Sequence, residues 1–424
     1  MLAGWKSPTM APNRPPPRPA SADAPPAPPI RQGEPAMPVK NRFAELLPEI
    51  TAWRRDFHEH PELLFDVQRT AGKVADLLKA FGCDEVVTGI GRTGVVGVIR
   101  GKTDGKGRVI GLRADMDALP IKEATGLPYA SKTPGKMHAC GHDGHTAMLL
   151  GAAKYLAETR QFDGTAVVIF QPAEEGGGGG REMVADGMLD RFGVQEVYGM
   201  HNMPGIPVGQ FAIREGAMMA AADQFDILVT GKGGHAAKPH DCIDTTVVSA
   251  HIILALQTIA ARIVDPLKQI VVSVCTVRTE SEAHNVIPQT VLMRGTVRTM
   301  DPGVQAMVEA RLKAIVEGTA LAHGATAEVS YQRGYPVTMN APENTGFAAE
   351  VARSVSGRVD TDTAPLMGAE DFSFMLNERP GAYIFLGNGD TAMVHHPAYN
   401  FDDAAIPFGS SWYAGMVEAR MPAA

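Results

Sequence analysis

Short runs of β-branched residues alternate with helix-forming stretches along most of this 424-residue chain. VVGVIRG, RVIGLRADM and TAVVIFQ resemble strands, and apolar residues at helical spacing predict helices over 42–60, 70–81 and 145–158. Strands that alternate with helices favour a parallel or mixed sheet with helices on both faces. Binding residues in such sheets collect just beyond the strand ends. We therefore predict an α/β fold with its site at those ends.

A second, more compact pattern begins near residue 220. DQFDILVTGKGG, KQIVVSVCTVRT and TVLMRGTVRTM resemble strands, and helices are predicted over 244–263 and 302–323. This interleaving indicates a split βαβ unit, as in a ferredoxin-like domain. The prediction is a smaller α/β domain over 220–331, inserted into a discontinuous larger domain over 41–219 and 332–424.

The first 40 residues contain the proline-rich run NRPPPRPASADAPPAPP and almost no aromatic or β-branched residues. A segment of this composition cannot bury enough apolar surface to fold. We interpret residues 1–40 as a disordered tail, or as an over-extended start with Met37 as the true first residue. A docking segment for a proline-binding partner is the alternative.

The net charge and the cysteines limit which binding partners and which cellular compartment we predict. The net charge of -8 argues against nucleic acid, because binding phosphates needs a basic surface. No uninterrupted apolar run is long enough to span a bilayer, and we expect no signal peptide and no membrane partner. The four cysteines are scattered without disulfide spacing, which predicts a cytoplasmic protein.

Three glycines match the dinucleotide-binding pattern GxGxxG: Gly89, Gly91 and Gly94. That pattern binds a dinucleotide where it follows a strand and opens a helix. Here the strand-like run VVGVIRG follows it, so we predict a turn between two strands instead.

The densest group of polar residues is His138-Ala-Cys140-Gly-His142-Asp143-Gly-His145. Three histidines, a cysteine and an aspartate within eight residues are hard to explain by packing alone. Thiolate and imidazole are the ligands that transition metals take in proteins. Neighbours in an extended segment point to opposite faces, whereas Cys140 and His142 can share one. The cluster therefore predicts a metal site.

A second cluster, Glu174-Glu175, ends the strand-like run VVIFQPAEE and precedes five glycines at 176–180. Adjacent carboxylates repel one another unless a cation or a proton relieves the charge. The pair suggests one metal ligand and one proton shuttle, with a solvated acidic turn as the alternative. The glycines allow backbone and substrate to approach closely.

Further histidines follow strand-like runs: His201 after EVYGM, and His395 with His396 after AYIFLG. Each alone is an ordinary core or surface histidine, but added to the two clusters they complete a ligand set for two metals. In the inserted domain, His235 and Asn285 lie in the stretches GKGGHAAKPH and AHNVIP. They suit a lid that contacts substrate, although a plain loop role is the commoner one.

These motifs together resemble the aminoacylase and carboxypeptidase-G metallopeptidase family, in its amidohydrolase branch of hippurate hydrolases, N-acyl-amino-acid deacylases and auxin-conjugate hydrolases. They run in family order over nearly everything after residue 45. The resemblance implies a zinc-peptidase-like catalytic domain and a lid and dimerisation domain over 220–331. The matching stretches are HEHPEL (58–63), RADMDALP (113–120), HACGHDGHTA (138–147), FQPAEEGGGG (170–179), HNMPG (201–205), GKGGHAAKPH (231–240), NVIP (285–288), GAEDF (368–372) and HHPAYNF (395–401).

The resemblance also implies roles for single residues. Glu174 matches the general base, and Asp117 matches an aspartate that orients the metal ligands. Two divalent cations are implied, with Cys140 in the bridging position and with terminal ligands His142, Glu175, His201 and His395.

In the inserted domain, the resemblance implies that His235 reaches the active site of a partner subunit. Asn285 and Arg298 match residues that bind the substrate carboxylate. The implied assembly is a homodimer or a dimer-based tetramer.

The implied reaction is hydrolysis of the amide bond of a small N-acylated amino acid, hippurate-like or N-acetyl. Water activated by metal attacks, and Glu174 acts as the base. A dipeptidase or carboxypeptidase of the same family is the alternative enzyme, and a metal-binding relative without turnover is the alternative from another class. A thiolate ligand favours zinc, whereas relatives also work with manganese, cobalt or nickel.

Overall fold

The computed structural model describes residues 41–423, so the predicted proline-rich tail lies outside the described residues. The helices, in chain order, are α1 (Arg42–Glu59), α2 (Gln68–Ala80), α3 (His142–Thr159), α4 (Gly179–Ala185), α5 (Met188–Arg191), α6 (Thr245–Thr258), α7 (Pro302–Ala322), α8 (Pro342–Ser356), α9 (Ser373–Glu378) and α10 (Ile406–Arg420). The strands are β1 (Glu85–Ile90), β2 (Gly94–Arg100), β3 (Val109–Asp115), β4 (Thr165–Gln171), β5 (Glu196–Met203), β6 (Phe211–Ala212), β7 (Gly216–Met219), β8 (Ala221–Thr230), β9 (Gly234–His235), β10 (Ile270–Thr279), β11 (Val286–Ile287), β12 (Thr290–Thr299), β13 (Thr326–Tyr335), β14 (Thr338–Asn340), β15 (Val359–Asp360) and β16 (Gly381–Gly387).

Eight strands form the larger sheet, in the order β1-β2-β4-β3-β5-β16-β6-β15. Its centre is parallel, because β4, β3, β5 and β16 run in one direction, whereas β1 and β2 pair antiparallel. The central strands are apolar and buried along nearly their whole length, which is typical of a sheet covered on both faces. The predicted mixed sheet with flanking helices is confirmed.

Helix α1 shows how the apolar spacing is used. Phe43, Ile50 and Phe57 are completely buried, while Glu49 and Arg55 on the opposite face are exposed. The helix packs on α3 and α10, and α3 lies against β3. The predicted helices over 42–60 and 70–81 therefore match α1 and α2 to within two residues at each end.

The three glycines of the GxGxxG pattern lie in a hairpin. Strand β1 ends at Ile90, which pairs with Gly94 at the start of the antiparallel strand β2. The element that directly follows the pattern is strand β2 and not a helix, so the predicted turn between two strands is confirmed.

The smaller sheet has the order β10-β12-β8-β13, with every neighbouring pair antiparallel. Its chain order is β8, α6, β10, β12, α7, β13, the split βαβ arrangement that the sequence predicts for a ferredoxin-like domain. A second hydrophobic core joins the two helices to this sheet, through residues such as Ile227, Ile252 and Leu312.

One helix reaches the length and mean hydropathy of a membrane span, although polar residues such as His251, Gln257 and Arg262 interrupt its apolar run. Residues Thr245–Ile263 form a continuous helical segment with a mean hydropathy of 1.5, ending in a π-turn from Ile259 to Ile263. One face packs on the small sheet through Val248 and Leu256. Among the described residues this is the one helix that is long and apolar enough for a span.

Candidate metal centre

Three neighbouring strands bring the donor residues together. Strands β4, β3 and β5 are parallel and adjacent, so their carboxyl ends meet at one edge of the sheet. Glu174 and Glu175 follow β4, and His201 lies in the last half of β5. Cys140 and His142 reach the same place from the loop that leads into α3.

Gly141 makes the turn that joins Cys140 to His142. Its φ is +87°, in the left-handed region, and a Cβ there would lie 2.2 Å from Asn202 Nδ2. Helix α3 therefore begins at His142, earlier than the predicted start at His145. The sequence predicts that Cys140 and His142 meet, but a glycine turn rather than an extended segment brings them together.

Five side chains place donor atoms close to one another. Cys140 Sγ lies 3.3 Å from His201 Nε2, and Glu175 Oε1 lies 3.3 Å from His395 Nε2 and 4.0 Å from His142 Nε2. The thiol is common to two triads whose donor atoms all lie within 4.8 Å of one another: Cys140–His142–His201 and Cys140–Glu175–His395.

Two buried atoms in this cluster have no hydrogen-bond partner, His142 Nε2 and Glu175 Oε1. His142 Nδ1 donates to the backbone carbonyl of Asp117 at 2.9 Å, which leaves Nε2 free to face the cluster. Each unpartnered buried polar atom costs about 1–3 kcal/mol. Two such atoms only 4.0 Å apart fit bound cations, which would coordinate them.

The charges of the cluster also fit a cation. Burial would lower the pKa of His142, but Asp115, Asp117 and Glu175 outweigh it and raise the pKa to about 10. Burial and neighbouring carboxylates raise the pKa of the Cys140 thiol well above its ordinary value. The site is therefore rich in negative charge, and a cation would replace the proton on each of these groups.

Glu174 differs sharply from its neighbour Glu175. Burial, together with the charges of Glu370 and Glu175, raises the pKa of Glu174 well above its ordinary value. Burial acts the same way on Glu175, but His395 and His142 outweigh it and lower its pKa. Adjacent carboxyls held in opposite states are suited to one proton carrier and one ligand.

Asp117 holds the backbone of this pair. Its two carboxylate oxygens accept the N–H groups of Glu174 at 2.9 Å and Glu175 at 3.1 Å. Because its backbone carbonyl also accepts from His142, Asp117 is linked to three residues of the cluster. This geometry is that of an aspartate that orients ligands rather than one that binds metal.

Two residues beside the cluster have a positive φ without being glycine, Ala173 (+53°) and His395 (+67°). The His395 N–H donates to the Ala139 carbonyl at 2.7 Å, and the Ala173 N–H donates to the Leu64 carbonyl at 3.1 Å. Backbone of this kind is held in place by its surroundings and concentrates at functional sites.

The other members of the histidine-rich motif have different surroundings. His145 Nδ1 lies 2.6 Å from Asp115 Oδ1, and Asp143 Oδ2 lies 2.8 Å from His58 Nδ1. His138 is buried, and both of its ring nitrogens lack a hydrogen-bond partner within the described chain. His138, Asp143 and His145 are therefore buried residues of the surroundings of the five donor side chains.

The sequence reasoning missed a buried ion cluster under the site. The guanidinium of Arg113 lies 2.7 Å from Asp115, 2.9 Å from Glu370 and 3.0 Å from Asp371. Burial raises the pKa of Asp371 to about 7, although Arg113 opposes that shift. The available signal was the pair of short polar motifs RAD and AED, but nothing in the sequence pairs them.

The cluster opens into a cavity of about 480 Å³. Its polar lining includes Glu174, and Arg298 from strand β12 of the smaller sheet. Most of the remaining wall is apolar and comes from Met203, Met219, Leu366, Phe385, Met393 and Val394. The cavity therefore lies between residues of both sheets.

His235 and Asn285 are not brought to this cavity, unlike Arg298. Both are exposed: His235 lies in β9 opposite Val286 of β11, and Asn285 directly precedes β11. Neither lines the cavity among the described residues of this single chain.

A mixed α/β sheet whose strand ends gather thiol, imidazole and carboxylate donors beside a buried carboxylic acid defines a metal-binding hydrolase. Residues 111–419 match Peptidase family M20/M25/M40, and the chain belongs to this family. It is accordingly a hydrolase that acts on amide C–N bonds.

Two curated relatives and one solved structure illustrate the similarity. The hippurate hydrolase of Campylobacter jejuni is 42% identical over 87% of this chain and 96% of its own length. Thermostable carboxypeptidase 1 of Saccharolobus solfataricus is 42% identical over 82% of this chain and 88% of its own. The crystal structure of the Bacillus subtilis YXEP protein, a dinuclear metal-binding peptidase, matches with a TM-score of 0.78 and 35% identity over 89% and 99% of the two chains.

Proposed function

We propose that this enzyme hydrolyses the amide bond of small N-acylated amino acids, releasing a carboxylic acid and a free amino acid. The observation that carries the proposal is the position of Glu174, protonatable and buried, beside five converging donor side chains at the base of a largely apolar cavity. Similarity to a hippurate hydrolase over nearly the full length of both chains supports the substrate class.

Two divalent cations would be held by the two triads that share Cys140, with His142 and His201 on one side and Glu175 and His395 on the other. Burial and the neighbouring His145 lower the pKa of His201, which keeps it in the neutral, ligating form. When bound, such cations activate water for attack and polarise the scissile carbonyl. Thiolate and imidazole donors favour zinc; manganese, cobalt and nickel are the other candidates.

Glu174 would take the proton of the attacking water and return it to the leaving amine. Burial and the neighbouring carboxylates raise the pKa of Glu174, which makes its carboxylate a stronger proton acceptor than an exposed glutamate. Asp117 accepts the Glu174 N–H, which fixes the backbone to which the Glu174 side chain is attached.

The cavity wall favours a substrate with an apolar acyl group. Three methionines, a leucine and a phenylalanine supply most of it, and burial of apolar surface contributes about 25 cal/mol per Å². A hippurate-like benzoyl group would bury more of this surface than an acetyl group. Arg298, the cation of the lining, would pair with the carboxylate of the amino acid.

We further propose that residues 220–331 act as a lid and dimerisation domain, with a second copy of the chain as partner. Strand β10 is an edge strand with Val277 55% exposed, and Leu254 on the outer face of α6 is 69% exposed. An unpaired edge beside exposed apolar side chains is suited to pairing with another copy. His235 would then supply an imidazole to the partner's site, with Asn285 beside it, and would stabilise the oxyanion.

A mixing experiment tests this exchange between subunits. Glu174→Gln and His235→Ala are each expected to be inactive alone. If His235 acts in the partner's site, random reassembly restores about a quarter of wild-type activity, because half of the dimers then contain one intact site. No recovery after subunit exchange, verified by mass spectrometry of the mixed dimers, would exclude this role for His235.

The alternative enzyme is a dipeptidase or carboxypeptidase, which the similarity to a carboxypeptidase supports. A metal-binding relative without turnover is less consistent with Glu174 retained beside all five donors. Cytoplasmic location stays a prediction that rests on four free cysteines.

The deciding experiment uses purified protein, stripped with a chelator and reloaded with single metals, on hippurate, N-acetyl amino acids and matched dipeptides. Metal-dependent release from the N-acyl compounds supports the proposal, and release from dipeptides alone favours the peptidase. Glu174→Gln should bind the same amount of metal and lose at least about 100-fold in turnover. Wild-type turnover in this variant would reject Glu174 as the base.

A further inference from the structure

Tyr335 is the last residue of strand β13 and reaches from the smaller sheet to the catalytic loop. Its hydroxyl donates to the backbone carbonyl of Glu174 at 2.6 Å. The same oxygen accepts the N–H groups of Gly176 and Gly178, each at 3.0 Å. One side chain therefore makes three hydrogen bonds to the loop that carries Glu174.

The loop needs such a contact because its sequence provides little rigidity. Gly176 and Gly178 have φ values of +106° and +70°, and glycine loses more conformational freedom on ordering than any other residue. Asp117 fixes the N–H side of Glu174, and Tyr335 fixes its carbonyl side. The peptide units on both sides of the Glu174 Cα are thus held from opposite directions.

A β-bulge aims Tyr335 at the loop. The register between β13 and β8 shifts between Arg333 and Tyr335, and Tyr335 pairs with Ala222. Gly334 lies in the bulge, where a Cβ would be 2.2 Å from the Ala222 carbonyl oxygen. Bulges redirect side chains and are frequent next to active sites.

Tyr335 also lies at the point where the chain leaves the smaller sheet. The chain enters the smaller sheet at Ala221 and leaves it at Tyr335, so the two connections to the larger sheet lie side by side. Because Tyr335 belongs to the last strand of the smaller sheet, a rotation of that sheet would change the direction in which its side chain points toward the loop. The hydroxyl thus joins the orientation of that sheet to the loop that bears Glu174.

We propose that Tyr335 is a positioning residue for Glu174. Its hydroxyl transmits the orientation of the smaller sheet to the loop that carries the Glu174 carboxyl. This inference rests on the proposed function, because it takes Glu174 as the base. Tyr335 itself acts on the loop backbone, so its loss should impair the reacting geometry and leave the affinity for substrate in place.

The test compares Tyr335→Phe with Tyr331→Phe, four residues earlier on the same strand. Tyr331 is also half-buried and gives its hydroxyl to Asp223 at 2.7 Å, away from the catalytic loop. Tyr335→Phe should lower kcat about 10-fold with KM within about twofold and with unchanged metal content. Tyr331→Phe should retain wild-type kinetics.

Hydrogen–deuterium exchange provides a readout independent of activity. Peptides covering 174–180 should exchange faster in Tyr335→Phe, since the Gly178 amide loses its acceptor and the Gly176 amide keeps only the Glu174 carbonyl, and should be unchanged in Tyr331→Phe. Unchanged exchange, or an unchanged kcat, overturns the inference. A raised KM with normal kcat also overturns it, because Tyr335 would then be a substrate contact.

A second variant covers the case in which Tyr335→Phe does not fold. Gly334→Ala keeps the hydroxyl but forces the bulge to shift, so it should give the same loss of kcat and the same faster exchange. Normal exchange and kcat in this variant overturn the inference. Failure of the proposed function is distinct from either result, because it appears as wild-type turnover in Glu174→Gln.

Discussion

Arg298 and Arg294 lie four residues apart on strand β12, yet only Arg298 lines the catalytic cavity among the residues described. Arg294 instead forms an exposed ion pair with Asp226, at 3.3 Å. The same strand therefore places one positive charge at the cavity and another on the exposed surface.

Arg298→Ala should weaken catalysis on substrates with a free carboxylate. Hydrogen bonds to charged groups are worth about 1.5–3 kcal/mol, so kcat/KM for hippurate should fall by about 10-fold or more. Arg294→Ala is the control and should behave as wild type. Steady-state kinetics with hippurate and its carboxamide decide the point: an equal loss on both compounds contradicts carboxylate recognition by Arg298.

Asp117→Asn should loosen the metal centre. The two N–H groups donate to different carboxylate oxygens, and in the amide one of these is replaced by an NH2 donor that cannot accept from Glu174 or Glu175. Loss of such a supporting contact typically costs about 10–100-fold in metal affinity. Competition with a chromophoric chelator measures this, and exposed Asp104→Asn removes the same charge elsewhere. Equal affinities in the two variants would mean that Asp117 has no orienting role.

Arg113→Met should destabilise the fold more than any surface arginine change. Arg113 is completely buried, and its removal leaves Asp115, Glu370 and Asp371 without their cation. Breaking a buried charge cluster costs about 3–5 kcal/mol. Arg55→Met, which removes an exposed ion pair with Asp403, should cost about 1 kcal/mol or less. Urea unfolding of both proteins measures the difference; similar losses would contradict this account.

His58 should make the chelated protein less stable at high pH. Burial and Arg54 lower its pKa, but Asp143 and Glu123 outweigh them and raise it to about 9. A group whose pKa is raised in the folded state stabilises fully below its unfolded value of about 6.5. That contribution, on the order of 3 kcal/mol, is lost as pH rises through 9.

Urea midpoints of the chelated protein between pH 6 and 10 test the role of His58. His58→Asn should reduce the decline above pH 6.5 but leave the share that His142 contributes through its own raised pKa, whereas exposed His284→Asn should keep the full decline. If His58→Asn shows the wild-type decline, another group is responsible. Work on chelated protein is essential because metal binding has its own pH dependence.

Local patterns sufficed for much of the fold because they report burial directly. The stripe in α1 and the apolar runs of β3 and β4 identify elements whose buried faces the structure retains. The apolar spacing could not predict that α3 begins at His142. His142 and Asp143 are weak helix formers, but contacts to Asp117 and His58 hold them in the first turn. Tertiary contacts override the local preference there.

The site residues also fall into two groups, those that the local sequence indicates and those that only the tertiary structure reveals. Its donors carry distinctive chemistry, so Cys140 and Glu175 stand out in the sequence. Arg113 and Tyr335 use ordinary side chains, and their importance depends on partners 258 and 161 residues away, Asp371 and Glu174. A single sequence records neither pairing, since it shows spacing along the chain and not proximity.

The paired ends of the inserted segment make it a separable module. Ala222 and Tyr335 are neighbours in adjacent strands, so the chain enters and leaves the smaller sheet at points about 5 Å apart. A short turn could bridge that gap without moving the remaining backbone. Loss, exchange or enlargement of this segment during evolution would therefore leave the strand ends that carry Glu175 and His201 in place, while the part of the cavity wall that the smaller sheet supplies changes freely.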